Sequence, residues 1–142
     1  MTTIRQTISA MLLTLLSTLF PPLLAAAPTE SPQTIAGATT VDVTTANQLF
    51  RQGALFIDVR KPKGYDMGRV PGAINLPLNG SFDQATLQAI AEPDDELVIY
   101  CGGTKCPLSA RAVNKAVSWG YHHIYYFRSG LPGWEKAGYP VE

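Results

Sequence analysis

Charge of one sign is what this sequence most clearly lacks. Its 142 residues carry 11 Lys plus Arg and 11 Asp plus Glu, a formal balance of zero at pH 7. A near-neutral chain gives no argument for nucleic acid, or for a strongly anionic surface, as its partner. Histidine is nearly missing too. The two that occur, His122 and His123, are neighbours at a strand entrance. Their side chains point apart, so they supply no metal site, and no metal or organic cofactor is implied. Cysteine is down to two, Cys101 and Cys106. Their Cys-x4-Cys spacing is not the Cys-x-x-Cys of thioredoxin-like proteins. There is no internal repeat.

Charge is also nearly absent from the N-terminus, where Arg5 is the one charged residue before Glu30. Residues 8–24 are apolar with scattered Ser and Thr, and Ala25-Ala26-Ala27 supplies small residues. This is the pattern of a secretory signal peptide, assigned to residues 1–26. Pro28 disfavours a cut directly after Ala27, which leaves Ala26 or Ala25. The rival reading is an uncleaved anchor, since the stretch is nearly long enough to span a bilayer. Pro21-Pro22 and the Ser and Thr content argue against a stable spanning helix. The expectation is a periplasmic or secreted chain, held at a membrane only if the segment is retained. Cleavage takes Lys plus Arg from 11 to 10 against 11 acids, a net charge of −1. About 115 residues remain, enough for one compact domain with its own core. Residues 27–40, rich in Pro, Ser, Thr and Gly, read as a flexible linker, and residues 41–142 as the domain.

Within the domain, strands and helices alternate. Residues 41–43 read as a short strand. Thr44 or Thr45 can cap a helix that runs to about Arg51 and closes at Gly53. Residues 54–59 form an apolar strand, 61–70 a loop with one helical turn, and 73–76 a third strand. A helix over 81–91 places Phe82, Leu87 and Ile90 inward. Residues 123–127 form a fifth strand and 131–137 a last helix, with Trp134 and Tyr139 as lids on the sheet edge. Apolar strands alternating with helices imply an α/β fold with a mostly parallel five-stranded sheet, covered on both faces.

The stretch from Glu96 to Gly120 concentrates the chemistry. Leu97-Val98-Ile99-Tyr100 reads as a buried strand and stops at Cys101. Gly102, Gly103, Thr104, Lys105, Cys106 and Pro107 lead into a helix whose apolar face is Leu108, Ala112, Val113, Ala116 and Val117. Adjacent glycines let successive N–H groups turn inward as an anion nest. The helix N-terminus adds partial positive charge, and Lys105 a full one. A thiol in that position is expected to have a lowered pKa and to act as a nucleophilic thiolate. Asp58 and Arg60 end a neighbouring strand, close enough to meet Cys101.

The chain resembles the single-domain rhodanese family of thiosulfate sulfurtransferase-like proteins. The likeness is carried by three blocks. Phe56-Ile57-Asp58-Val59-Arg60 precedes Tyr65, Gly68 and Val70-Pro71-Gly72-Ala73-Ile74-Asn75-Leu76-Pro77. Val98-Ile99-Tyr100-Cys101 leads to Ser109-Ala110-Arg111-Ala112 and Gly120-Tyr121. Gly130-Leu131-Pro132-Gly133-Trp134 ends in Ala137-Gly138-Tyr139-Pro140-Val141. The resemblance implies that Cys101 is the catalytic cysteine and carries a persulfide. It implies a small anionic sulfur donor such as thiosulfate, and a thiol or cyanide acceptor. Gly102, Gly103, Thr104, Lys105 and Cys106, with Arg60, would then bind substrate. Two departures stand out. Gly68-Arg69 replaces the usual Gly-His, and the loop reaches Ser109-Ala110-Arg111 about two residues late, the extra length holding Cys106.

Several roles remain open from sequence. Asp58 and Arg60 either pair to fix their own loop or position the active loop and substrate. Lys105 is a charge at the pocket mouth or a solvated loop lysine, and Arg111 reads as a brace between helix and loop. The cysteine pair can be free thiols, a labile redox bridge, or a structural bridge that would leave no nucleophile. Two other functions compete with sulfur transfer: a thiol or persulfide redox protein using Cys101 and Cys106, and a sulfur-carrier module without turnover. A phosphatase-like enzyme needs an arginine clamp at the position held by Pro107, which disfavours that class.

Overall fold

The computed structural model describes residues 30–142, so the signal segment assigned to residues 1–26 lies outside the described residues. Five parallel strands form one sheet in the order β1-β5-β4-β2-β3. They are β1 (Thr39–Thr40), β2 (Leu55–Asp58), β3 (Ile74–Asn75), β4 (Glu96–Tyr100) and β5 (His123–Phe127). The helices are α1 (Val43–Gln52), α2 (Pro62–Asp66), α3 (Gln84–Gln88), α4 (Leu108–Ser118) and α5 (Gly130–Lys136). The α/β class with a five-stranded parallel sheet is as the sequence predicts.

The two faces of β4 divide the core. Leu97, Ile99 and Cys101 join one cluster with Leu87 of α3 and Ala112, Val113 and Ala116 of α4. Val98 and Tyr100 join the other, with Ala46 and Leu49 of α1 and Leu131 and Trp134 of α5. This is the period of two that any strand imposes. It has one consequence for the site: Cys101 continues the odd-numbered set and so turns toward α4. Trp134 fills the opposite cluster, edge-on to Phe50 at 5.4 Å and Phe56 at 5.9 Å. Its indole N–H donates to the Pro140 carbonyl at 2.8 Å, so the buried ring leaves no polar atom unpaired.

Differences from the sequence reading are local, and each has a physical cause. Asp42 ends the expected strand over 41–43, because its carboxylate accepts the Thr45 N–H at 2.8 Å and starts α1 one residue later. A good N-cap outweighs the β-branched neighbours. Gly53 closes α1 at φ +88°, as expected. α3 stops at Gln88, so Ile90 lies outside it and is 38 % exposed where an inward side chain was predicted. The largest correction concerns the linker. Over its described part it is not a free lead-in. Ser31 and Ile35 are buried, and Thr39 and Thr40 pair with Tyr125 and Tyr126 as an edge strand. An exposed edge of two residues, held by its backbone bonds and by the Thr40 hydroxyl donating to the Gln33 carbonyl, leaves no apolar pattern to read. The Arg69 departure serves the C-terminus: its guanidinium pairs with Glu142 at 2.7 Å, and the two residues exchange backbone hydrogen bonds.

Candidate active site

Cys101 leaves the carboxyl end of β4 and is completely buried, at 0 % exposure. Its sulfur lies 3.1 Å from the Ser109 hydroxyl and 3.4 Å from the Cys106 carbonyl oxygen. The Ser109 N–H donates to it at 3.4 Å. Ser109 is itself fully buried in the first turn of α4. The chain between the two cysteines folds back over Cys101 as a cap.

Cys106 is half-buried, both thiols are free, and the Cys106 backbone is in contact with the Cys101 sulfur. That contact divides their chemistry. The Cys101 thiol is pushed up, first by the hydrogen bond with Cys106 and then by burial. The Cys106 thiol is pulled down to about 6, first by the bond from Cys101 and also by the N–H groups of Gly102, Leu108 and Ser109. Leu108 and Ser109 open α4, where N–H groups have no intrahelical partner and the helix dipole also favours an anion. This corrects the expectation of a thiolate at Cys101. Acidity is drawn toward Cys106 and away from Cys101. The cradle is also differently built from the predicted run Gly102 to Cys106. The Cys106 N–H is spent on the Gly103 carbonyl at 3.0 Å.

The loop is held from both sides. Gly130 opens α5 at φ +57°, and a Cβ there would fall onto the Cys101 carbonyl oxygen and within 2.9 Å of the Gly103 nitrogen. Leu131 donates its N–H to that same carbonyl at 3.1 Å. On the outer side, the N–H and hydroxyl of Ser31 both donate to the Thr104 carbonyl at 2.7 Å. Arg128 fixes this strap by donating to the carbonyls of Ser31 and Pro32 and pairing with Glu30 at 2.9 Å. Ser31 and Arg128 carry no signal in the sequence, and Gly130 stands there only as the first residue of the Gly130–Trp134 block. The strap joins residues 73 and 97 positions apart, and no local pattern marks such contacts. Ser109 was on the page as part of the Ser-Ala-Arg block, and its place in the first helical turn was the available signal.

Lys105 is exposed and lines a cleft of about 460 Å³ between the loop and α5, with Gly102, Gly103, Thr104, Ser129 and Lys136. Lys136 is a second cation there that the sequence reading missed. Arg111 is exposed and forms no side-chain hydrogen bond among the described residues, so the predicted brace is not made. The cause is the helical phase, which turns Arg111 outward while Ala110 and Ala112 face inward.

Asp58 and Arg60 do pair. Asp58 is buried at 0 % exposure, and Arg60 reaches it with Nε at 3.0 Å and Nη2 at 2.6 Å. Nη2 also donates to the Gly68 carbonyl at 2.7 Å. The guanidinium is thereby committed to the loop after β2, and only its aliphatic stem approaches Gly102. Arg60→Met is expected to destabilise the domain by about 3 kcal/mol, because it strands the Asp58 carboxylate in the core. Urea denaturation checks this, and an unchanged midpoint would show that the pair carries no net stability.

The sequence profile of the Rhodanese-like domain matches residues 42–137. This chain belongs to the rhodanese-like family. The thiosulfate sulfurtransferase GlpE of Pseudomonas fluorescens is 30% identical over 97 residues, which span 68% of this chain and 84% of that protein. An HTH-type transcriptional regulator of Mycobacterium tuberculosis is 33% identical over 103 residues, 70% of this chain but 44% of the regulator. The rhodanese-like chain thus spans less than half of that relative. Among solved structures, the Alr3790 protein from Anabaena sp. aligns with a TM-score of 0.63 at 24% identity, over 72% of this chain and 90% of that one. That likeness speaks for the fold alone. The family carries sulfurtransferases, and Cys101 stands at the strand end in the block through which this chain resembles them.

Proposed function

We propose that this rhodanese-like chain is a sulfurtransferase, moving a sulfane sulfur from a small anionic donor such as thiosulfate to a thiophilic acceptor through a persulfide on Cys101. The observation that carries the reading is the position of Cys101. It ends the central strand of a rhodanese-like sheet, with its sulfur against the N–H and hydroxyl of Ser109 at the start of α4. Attack on the outer sulfur of thiosulfate expels sulfite, and an acceptor, cyanide in an assay or a thiol in the cell, then removes the sulfur. This is covalent catalysis in two half-reactions and implies ping-pong kinetics. The buried Ser109 donors would stabilise sulfur-centred charge on Cys101 without reorganising. The test is mass spectrometry of the protein after thiosulfate, without reductant, followed by peptide mapping. A gain of one sulfur retained on Cys101 is expected, and no gain would sink the assignment.

The cleft beside the loop supports an anionic donor, since Lys105 and Lys136 both line it. Lys105→Ala is expected to lower kcat/KM for thiosulfate about threefold, the scale of one exposed ion pair. Use of an uncharged sulfane donor should be spared. Equal losses with both donors would show that Lys105 does not read donor charge. We also propose export to the periplasm or beyond, on the strength of the apolar segment before Pro28. A mature protein whose N-terminus still begins at Met1 would refute cleavage.

A further inference from the structure

The buried position of Cys101 creates a difficulty that Cys106 resolves. A sulfur with no exposed surface meets a donor in solution only if the loop opens, yet the partly exposed Cys106 closes over it, with its carbonyl oxygen 3.4 Å from the Cys101 sulfur. We propose that Cys106 is a second catalytic thiol, which captures the sulfane sulfur from the donor and passes it to Cys101. The inference rests on the sulfurtransferase reading and adds the route by which sulfur enters.

Three features of the loop support it. Cys106 is partly exposed where Cys101 is sealed, so it is the thiol of the loop that a donor can reach. The Cys106 thiol is pulled down to about 6, first by its neighbour Cys101 and then by backbone N–H groups, while the Cys101 thiol is pushed up. The attacking species is the thiolate, so Cys106 is the competent nucleophile as well as the accessible one. Finally, the Cys106 carbonyl and the Ser109 hydroxyl both lie within hydrogen-bond range of the Cys101 sulfur. They steady the buried thiol beside its partner.

The steps balance without an external oxidant or reductant. The Cys106 thiolate attacks the outer sulfur of thiosulfate. A new S–S bond forms, the S–S bond of thiosulfate breaks, and its electron pair leaves with sulfite. The Cys106 persulfide anion now faces the Cys101 S–H. The Cys101 proton moves to the terminal sulfur, and the Cys101 sulfur attacks that atom. The bond from the terminal sulfur to Cys106 breaks, and its electron pair returns to Cys106. The products are a Cys101 persulfide and a Cys106 thiolate, with one proton and one negative charge conserved. The donors that acidify Cys106 make it a good leaving group in this second step.

The experiment follows sulfur loading from thiosulfate, without reductant, in the wild type, Cys101→Ser, Cys106→Ser and Cys106→Ala, by quenched intact-mass analysis and peptide mapping. Near-UV circular dichroism checks that each variant keeps its packing. Wild type should end with sulfur on Cys101. Cys101→Ser should still gain sulfur and hold it on Cys106. Both Cys106 variants should load Cys101 at least tenfold more slowly. The initial rate in wild type should rise with pH through about 6 and then level off, because only the ionised thiol attacks. Wild-type loading rates in both Cys106 variants would overturn the relay and leave sulfur transfer by Cys101 alone standing. Loss of two hydrogens from wild type, with one hydrosulfide released per chain, would overturn it in favour of Cys106 as a thiol that resolves the persulfide to a disulfide. Absence of sulfur on any form would overturn both the relay and the sulfurtransferase reading.

Discussion

With Cys101 and Cys106 both replaced by serine, the protein is expected to stay folded and to lose all sulfur transfer. These are the only two cysteines in the sequence, so no thiophilic nucleophile remains. A serine hydroxyl is not ionised near neutral pH and has little affinity for sulfur, so turnover should fall to the rate of the uncatalysed reaction. Stability should change little. A hydroxyl at position 101 inherits the Ser109 hydroxyl and the Cys106 carbonyl as partners within reach of the present sulfur. A polar group that keeps its hydrogen bonds costs little on burial, here less than about 1 kcal/mol. Thiosulfate-to-cyanide turnover and a urea melt measure the two halves. Residual turnover above background would place the sulfur chemistry on a group other than the two thiols.

Gly130→Ala is expected to be among the most damaging single changes to stability, lowering it by about 4 kcal/mol. Two costs add. At φ +57° an L side chain is strained by about 1–2 kcal/mol. The added Cβ also meets the Cys101 carbonyl oxygen and the Gly103 nitrogen, and overpacking of this kind costs about 1–3 kcal/mol. The obstacle is backbone, which cannot swing aside as a flexible side chain can. Relief requires α5 to lift or the active loop to shift, so sulfur loading should fall with stability. Gly138→Ala is the internal control. It has φ +79° and nothing within 4 Å of an added Cβ, so it should bear the conformational cost alone. Measured in parallel by urea denaturation, equal losses for the two variants would show that the close approach of α5 to the loop carries no energy.

Much of the fold was legible because its causes are local. Leu97 to Tyr100 is a short apolar run, half of it β-branched, which a two-faced buried strand requires. Ala112, Val113 and Ala116 recur at helical spacing on one side of α4. Asp58 and Cys101 could be placed at strand ends by counting residues from those runs. Errors gathered where a side chain outvoted local propensity, as with Asp42 capping α1, or where no side-chain pattern existed, as with the two threonines of β1.

The candidate site divides in the same way. From sequence alone came the strand, the glycine-rich loop, the helix, and the presence of two cysteines within one loop. Which thiol is sealed, and which is the more acidic, was decided by the folded loop. That outcome depends on the path between Gly102 and Ser109, and the path is held by partners remote in the chain: Gly130 beneath Cys101, and Ser31 on the Thr104 carbonyl under the grip of Arg128. The pull of a nest on a sulfur depends on distances of a few ångströms, which residue spacing does not specify. Arg60 teaches the same lesson. Its charge is evident in the sequence, but only the closure of the loop after β2 onto Gly68 and Asp58 commits it to structure. Local periodicity sets what each segment is, because backbone geometry acts over a few residues. Long-range packing sets which group is buried, ionised or already paired, because desolvation and hydrogen bonding depend on what the folded chain brings alongside.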